Sequence, residues 1–232
     1  MVREQTGPGT PGEHPTAPLA SGVRRGLRAR LFAWGLSRAE DSQRRLYGEH
    51  RARLFATLSE VASPPTVVEI GAGAGPTAAY LPAGTRWIAV EPNVHFHPHL
   101  QSAADTHGLE LTIHGASAEM LPLADASADA VISTLVLCSV DDVPGALVEI
   151  HRVLKPGGRF LFIEHVGAPH GTWHRRIQRA VRRPWGWAAD GCRPDRDTAD
   201  AIRAAGFASV ELATFRVPLG LASPHIRGVA VR

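Results

Sequence analysis

The chain has 232 residues, a net charge of +3 with histidine neutral, 44% hydrophobic residues and 20% charged residues, ordinary values for one globular domain with a buried core. No apolar run reaches the ~18 residues of a membrane span, and two cysteines, Cys138 and Cys192, exclude a disulfide scaffold and a four-cysteine zinc site. Lys155 is the only lysine, which leaves little scope for Schiff-base catalysis.

Residues 1–22 are rich in Pro, Gly and Thr and lack the apolar core of a secretory signal, so they read as a disordered tail. With two free thiols, this points to a cytoplasmic protein. Residues 23–62 read as a helical cap of one or two helices, with Leu27, Leu31 and Trp34 spaced along one face. "SPP" at 63–65 stops it. From there to 232 the chain reads as one domain in which strands and helices alternate. Strands are expected at 66–70, 86–90, 109–115, 129–137 and 159–166, and helices from near Pro76, at 94–106 and at 143–154. "KPGG" is expected to end the last of these helices. That rhythm predicts an α/β fold, a Rossmann-like doubly wound, mostly parallel sheet. After helices at 171–183 and 197–205, segments 209–217 and 225–232 are joined by the short "PLGLASP". Such a connection suits an antiparallel pair and makes the last strand antiparallel.

The first strand ends in "VVEIGAGAG". Glycines at Gly71, Gly73 and Gly75 miss the dinucleotide spacing, because Pro76 stands where the third glycine belongs, and no G-K-[ST] follows for a P-loop. Glu69 precedes the loop, where its charge disfavours a phosphate and favours a cation. S-adenosylmethionine has no phosphate and carries an ammonium and a sulfonium. Glu91 ends the second strand, 20 residues after Gly71, where a carboxylate can accept both ribose hydroxyls. That role is shared with NAD sites, and each feature alone also fits a glycine turn beside an exposed strand-end acid. Their combination selects S-adenosylmethionine.

The pattern resembles the class I S-adenosylmethionine-dependent methyltransferases. "VVEIGAGAG" is similar to their first motif, "GASAEMLPLADASADAVIS" to the segment entering their fourth strand, and "VLKPGGRFLFIEH" to the motif around their fifth. The resemblance implies that Gly71 and Gly73 run under the methionine part, that Glu91 holds the ribose, and that Ala118 and Glu119 lie beside the adenine. Ser117 stands where many members have Asp, and its hydroxyl is a neutral, weaker partner for the adenine amino group.

Acceptor groups should sit at the carboxyl ends of strands four and five. His165 is the candidate general base, with ordering of its loop as the alternative. Glu164 should point to the opposite side. Cys138 faces the methyl group or, as a small hydrophobe, the core. Asp190 orients His165, binds substrate or caps a helix. Trp173, Trp185 and Trp187 line the acceptor site or pack in the core. "STLVLCSV", "FIEHV", "TW" at 172–173, "DGC" at 190–192 and "PHIRGVAV" together resemble the methyltransferase-like alkyl-thiol S-methyltransferases. That resemblance implies a small-molecule thiol as partner and a methyl thioether as product. Animal members of that family carry an N-terminal membrane-anchoring segment, where this chain has a polar tail.

No metal is expected. His95, His97 and His99 alternate at the start of a helix, on the cofactor side, and read as surface or adenosine-rim residues. The basic "HRRIQRAVRRPW" reads as a solvated helix face; no nucleic-acid module supports RNA or DNA binding, and peripheral contact with an anionic membrane stays open. O- or C-methylation of a phenol, quinone or other natural product is the alternative reaction. A silent cofactor-binding module is the alternative from another class.

Overall fold

The computed structural model describes residues 23–232; the tail expected at 1–22 lies outside the described residues. Within residues 23–232 seven strands form one sheet: β1 (Thr66–Ile70), β2 (Arg86–Val90), β3 (Glu110–His114), β4 (Ala128–Thr134), β5 (Leu154–His165), β6 (Ser209–Arg216) and β7 (Pro224–Val231). Their order across the sheet is β3-β2-β1-β4-β5-β7-β6. β7 runs antiparallel to both neighbours, and the pairs among β1 to β5 are parallel. The topology therefore reverses between β1 and β4, and a crevice opens at their carboxyl ends.

Among the described residues six helices cover the sheet: α1 (Leu27–Arg38), α2 (Glu40–Phe55), α3 (His97–His107), α4 (Val143–Val153), α5 (Trp173–Ala188) and α6 (Thr198–Ala204). Alternation along each strand divides the core into two layers. Val68, Val131, Phe160 and Phe162 pack with Leu147 and Ile150 of α4 and Ile202 of α6. Val67, Ala130, Ile132 and Leu161 pack with Leu54 and Phe55 of α2 and Leu100 of α3. The same alternation sends Glu164 to the α4 side, where its Oε1 accepts a bond from Ser133 Oγ at 2.5 Å. His165 turns to the opposite side, as the strand register requires.

Several expected boundaries move, each for a local reason. The helix expected from Pro76 is only a 3-10 turn at Ala78–Tyr80. Pro82 follows too closely for a helix to grow, because a residue before proline is pushed to extended backbone; Leu81 has ψ 143°. β4 ends at Thr134, three residues early, where Leu135 takes φ +60° and turns the chain into a loop over the crevice. Conversely, β5 begins at Leu154, because "KPGG" is absorbed as an irregularity in its pairing with β4. α5 starts at Trp173 behind the cap of Thr172, whose Oγ1 accepts from Arg175 N at 3.2 Å, and it continues through Pro184 to Ala188.

The loop after β1 and the loop after β4 touch at a position that demands glycine. Gly71 has φ +57°, and a Cβ there would stand 2.6 Å from Val136 Cγ2. Gly71→Ala meets both the left-handed backbone penalty and a clash with a β-branched neighbour. It is expected to lower the unfolding free energy by about 2–5 kcal/mol; an unchanged urea midpoint would contradict the packing described.

Candidate active site

A cavity of about 590 Å³ lies at the carboxyl ends of β1, β2, β4 and β5, inside the ~300–1,000 Å³ range of small-molecule sites. Gly71, Gly73 and Glu91 form its floor, Ser117, Ala118 and Glu119 one flank, and Phe32 of α1 with Gln43 of α2 its roof. Cys138, His165, Asp190 and Cys192 make the far end. The sheet topology brings together residues from 69 to 192 that the sequence scatters.

On the floor, Glu91 is buried. One carboxylate oxygen accepts from Gly73 N at 2.9 Å and the other from Asn93 N at 2.8 Å. Burial raises its pKa, and the Asn93 and Gly73 amides oppose the rise. The acid therefore clamps the glycine loop to the end of β2. Glu69 also lines the cavity and accepts from the Trp87 indole N–H at 2.9 Å. Burial pushes its pKa up to about 7, against the pull of its side-chain hydrogen bonds and of buried Arg51. Its charge is thus not fixed near neutrality, contrary to the sequence expectation, and a bound cation would draw it back to the ionised form. On the flank, Glu119 Oε1 accepts from Asp141 N at 3.0 Å and so ties the Ser117–Glu119 segment to the start of α4.

At the far end, His165 Nε2 stands 2.9 Å from Cys192 Sγ, and the Trp185 indole donates to the same sulfur at 3.3 Å. His165 Nδ1 is buried without a partner. Contact with Cys138, then His165 and Trp185, lowers the pKa of Cys192. The same sulfur contact and burial push Cys138 up. The His165 and Trp185 contacts thus favour the thiolate at Cys192.

Two residues expected at the site lie elsewhere. Gly75 (φ +82°) does not line the cavity; a Cβ there would stand 3.1 Å from Ala103 and from Trp87, so its role is the close packing of α3 on β2. Trp173 is 72% exposed at the first turn of α5, and Thr172 caps that turn away from the crevice. Asp190 lines the cavity but does not orient His165: it pairs with Arg24 at 2.5 Å. His95 and His97 bond to different backbone carbonyls, of Arg25 and Glu91, and neither they nor His99 lines the cavity. Sequence reasoning underused Cys192. Its signal was the "DGC" turn itself, where Asp190 (φ +48°) and Gly191 (φ +90°) fold the chain back toward β5.

A doubly wound sheet with a glycine loop under a cavity and an acid at the tip of β2 defines an S-adenosylmethionine-dependent methyltransferase, and S-adenosylmethionine is its cofactor. The residues present suit it: two glycines that leave room over the floor, the buried carboxylate of Glu91 beside them, and a loop without the G-K-[ST] of a phosphate cradle. The methyltransferase domain family matches residues 68–162. Human thiol S-methyltransferase TMT1A is 36% identical over 199 residues, covering 81% of this chain and 82% of that protein. Rat thiol S-methyltransferase TMT1B is 37% identical over 214 residues, covering 89% and 84%. An S-adenosylmethionine-dependent methyltransferase of Thermotoga maritima, described as a possible histamine N-methyltransferase, shares the fold at TM-score 0.61 and 22% identity, covering 87% of this chain and 98% of that one. The chain belongs to the family of TMT1A and TMT1B.

Glu69 yields a pH prediction. Its folded pKa lies above its ordinary 4.5, so the folded chain holds its proton more tightly than the unfolded chain. The stability it contributes is full below about pH 4.5 and is lost as pH rises through 7. Glu69→Gln should therefore gain stability relative to the parent between pH 5 and pH 8, by on the order of 1–3 kcal/mol. A difference independent of pH would contradict the raised titration.

Proposed function

We propose that this protein transfers the methyl group of S-adenosylmethionine to the sulfur of a small-molecule thiol. The observation that carries the reading is the extent of the likeness to TMT1A and TMT1B. It covers 81% and 89% of this chain and so reaches past the domain match at 68–162 into the segments that build the acceptor end.

Gly71 and Gly73 support the methionine part, Glu91 accepts the ribose hydroxyls, and Ser117, Ala118 and Glu119 flank the adenine. Glu69 faces the cationic end. The acceptor then lies at Cys138, His165 and Cys192, with Asp190 at the rim. Methyl transfer is an in-line displacement in which positioning supplies much of the rate. The acceptor sulfur, ionised, attacks the methyl carbon; the carbon–sulfonium bond breaks, and its electron pair stays on S-adenosylhomocysteine. A thiol of pKa ~8.5 needs little help to ionise, and the sulfonium charge lowers that value further. A phenol or amine is ionised or deprotonated less readily and needs more. We assign His165 as the catalytic side chain that promotes loss of the thiol proton. The reading needs no nucleic acid, and Arg176, Arg179 and Arg183 of α5 are exposed and offer a basic face for peripheral membrane contact. It fits a reducing compartment such as the cytoplasm, where Cys138 and Cys192 stay free.

S-adenosylhomocysteine formation should be confined to thiols when alkyl and aryl thiols, phenols, quinols and amines are tested side by side. Turnover on oxygen, carbon or nitrogen alone would overturn the thiol reading and leave the methyltransferase class. His165→Ala should lower kcat for a thiol by about 10²-fold or more with the cofactor Kd unchanged by calorimetry; an unaltered kcat would remove His165 from the chemistry.

A further inference from the structure

Among the described residues, one group of potential metal-binding side chains converges: the sulfurs of Cys138 and Cys192 and a ring nitrogen of His165, all buried, lie within 4.8 Å of one another, and His165 Nε2 is 2.9 Å from Cys192 Sγ. We propose that these three side chains form a site for a borderline-soft divalent cation of the Zn2+ class, whose fourth position faces the acceptor end of the cavity and takes the substrate's sulfur. The proposal rests on the thiol reading and supplies the manner in which His165 serves it.

The donor set is the first argument. Two thiolates and one imidazole, with one position left open, are a known pattern of catalytic zinc, whereas structural sites fill all four positions. Hard cations such as Mg2+ and Ca2+ want oxygen ligands, whereas the three side chains that converge here offer sulfur and nitrogen and the nearby Asp190 is paired with Arg24. The ligands also come from three separate segments: the loop after β4, the last residue of β5 and the turn after α5. Only the tertiary fold unites them, and the cavity is lined by all three.

Geometry is the second. A tetrahedral ion with Zn–S near ~2.3 Å and Zn–N near ~2.0 Å sets its ligand atoms roughly 3.6–3.8 Å apart. Here His165 Nε2 and Cys192 Sγ stand 2.9 Å apart, and the ligand atoms of all three residues lie within 4.8 Å of one another, close enough for one ion to meet all three. Because His165 Nδ1 has no partner, the ring is aimed by what Nε2 meets, which is this cluster.

Charge balance is the third. A divalent cation with two thiolates is neutral as a unit and so tolerates burial in a pocket where a lone ion would be costly. When a thiol R–SH enters the open position, its proton leaves to solvent and the bound sulfur remains a thiolate at neutral pH. The attack is then as described above: R–S–CH3 forms, the sulfonium carbon–sulfur bond breaks, and S-adenosylhomocysteine departs neutral at sulfur. No oxidant or reductant is needed.

The test uses untagged full-length protein, stripped with a chelator under a phosphine reductant and titrated with Co2+ alone. One cobalt per chain is expected, with thiolate-to-cobalt charge-transfer absorption and the visible bands of a four-coordinate ion. Cys138→Ser and Cys192→Ser should each lower the charge-transfer intensity by about half, and a small thiol added to the parent should raise it by about half. Should either variant fold poorly by circular dichroism, the parent alone decides: Zn2+ should protect both Cys138 and Cys192 from alkylation, read by peptide mass spectrometry. Absence of stoichiometric cobalt, or charge-transfer absorption that survives both substitutions, would overturn the site, as would alkylation at equal rates with and without Zn2+. Full thiol turnover by stripped enzyme would also overturn it while leaving the thiol reading intact. Thiol coordination without any methyl thioether product would uphold the site and sink the thiol reading.

Discussion

The contact of Gly71 with Val136 is the constraint on which the site depends. It lies where the sheet reverses direction, between β1 and β4, and it closes the distance between two loops that carry different halves of the chemistry. Because Gly71 takes φ +57° and leaves no room for a Cβ against Val136, the loop after β1 lies flat and presents Gly73 N to Glu91. On the other side, Val136 pins the loop after β4, and Cys138 two residues on is carried into the cavity. One packing contact thus sets the cofactor floor and the acceptor end in a common frame.

Around that frame the site is graded in polarity. Charged and backbone groups gather at the floor, where Glu69, Glu91 and buried Arg51 surround the part of the cavity suited to a cationic ligand. Sulfur, imidazole and indole gather at the far end, around Cys192. α1 and α2 add Phe32, Leu36 and Gln43 to the cavity lining, and the apolar Phe32 and Leu36 lower the water content beside the bound groups. Exclusion of water strengthens each electrostatic contact inside. It also favours displacement by a large polarisable sulfur, which gives up its hydration more readily than an oxyanion does.

Much of this was legible from sequence. The alternating elements, the parallel sheet and the antiparallel β7 follow from apolar period, connection length and turn residues. The place of Glu91 at the tip of β2, lining the cavity, was legible from its strand-end position and spacing. The side of the sheet taken by His165 followed from strand alternation alone. What escaped was set by long-range contact. Gly75 reads as part of the loop motif, yet its neighbours are Ala103 of α3 and Trp87 of β2. Trp173 reads as a pocket aromatic, but the cap at Thr172 fixes the start of α5 and turns that ring outward. The helix expected from Pro76 was defeated by Pro82, a local signal given too little weight. Cys192 lies 27 residues from His165, and no periodicity links them; only the left-handed turn at Asp190 and Gly191 brings the thiol back to β5.

The central claim is that sulfur is the acceptor, and a molecule that offers two acceptors tests it most directly. Mercaptophenol incubated with the enzyme and deuteromethyl-labelled S-adenosylmethionine carries both a thiol and a phenol of similar reach. The account predicts the label on sulfur alone, read by mass spectrometry of the product. Label on oxygen, with the sulfur left free, would contradict it.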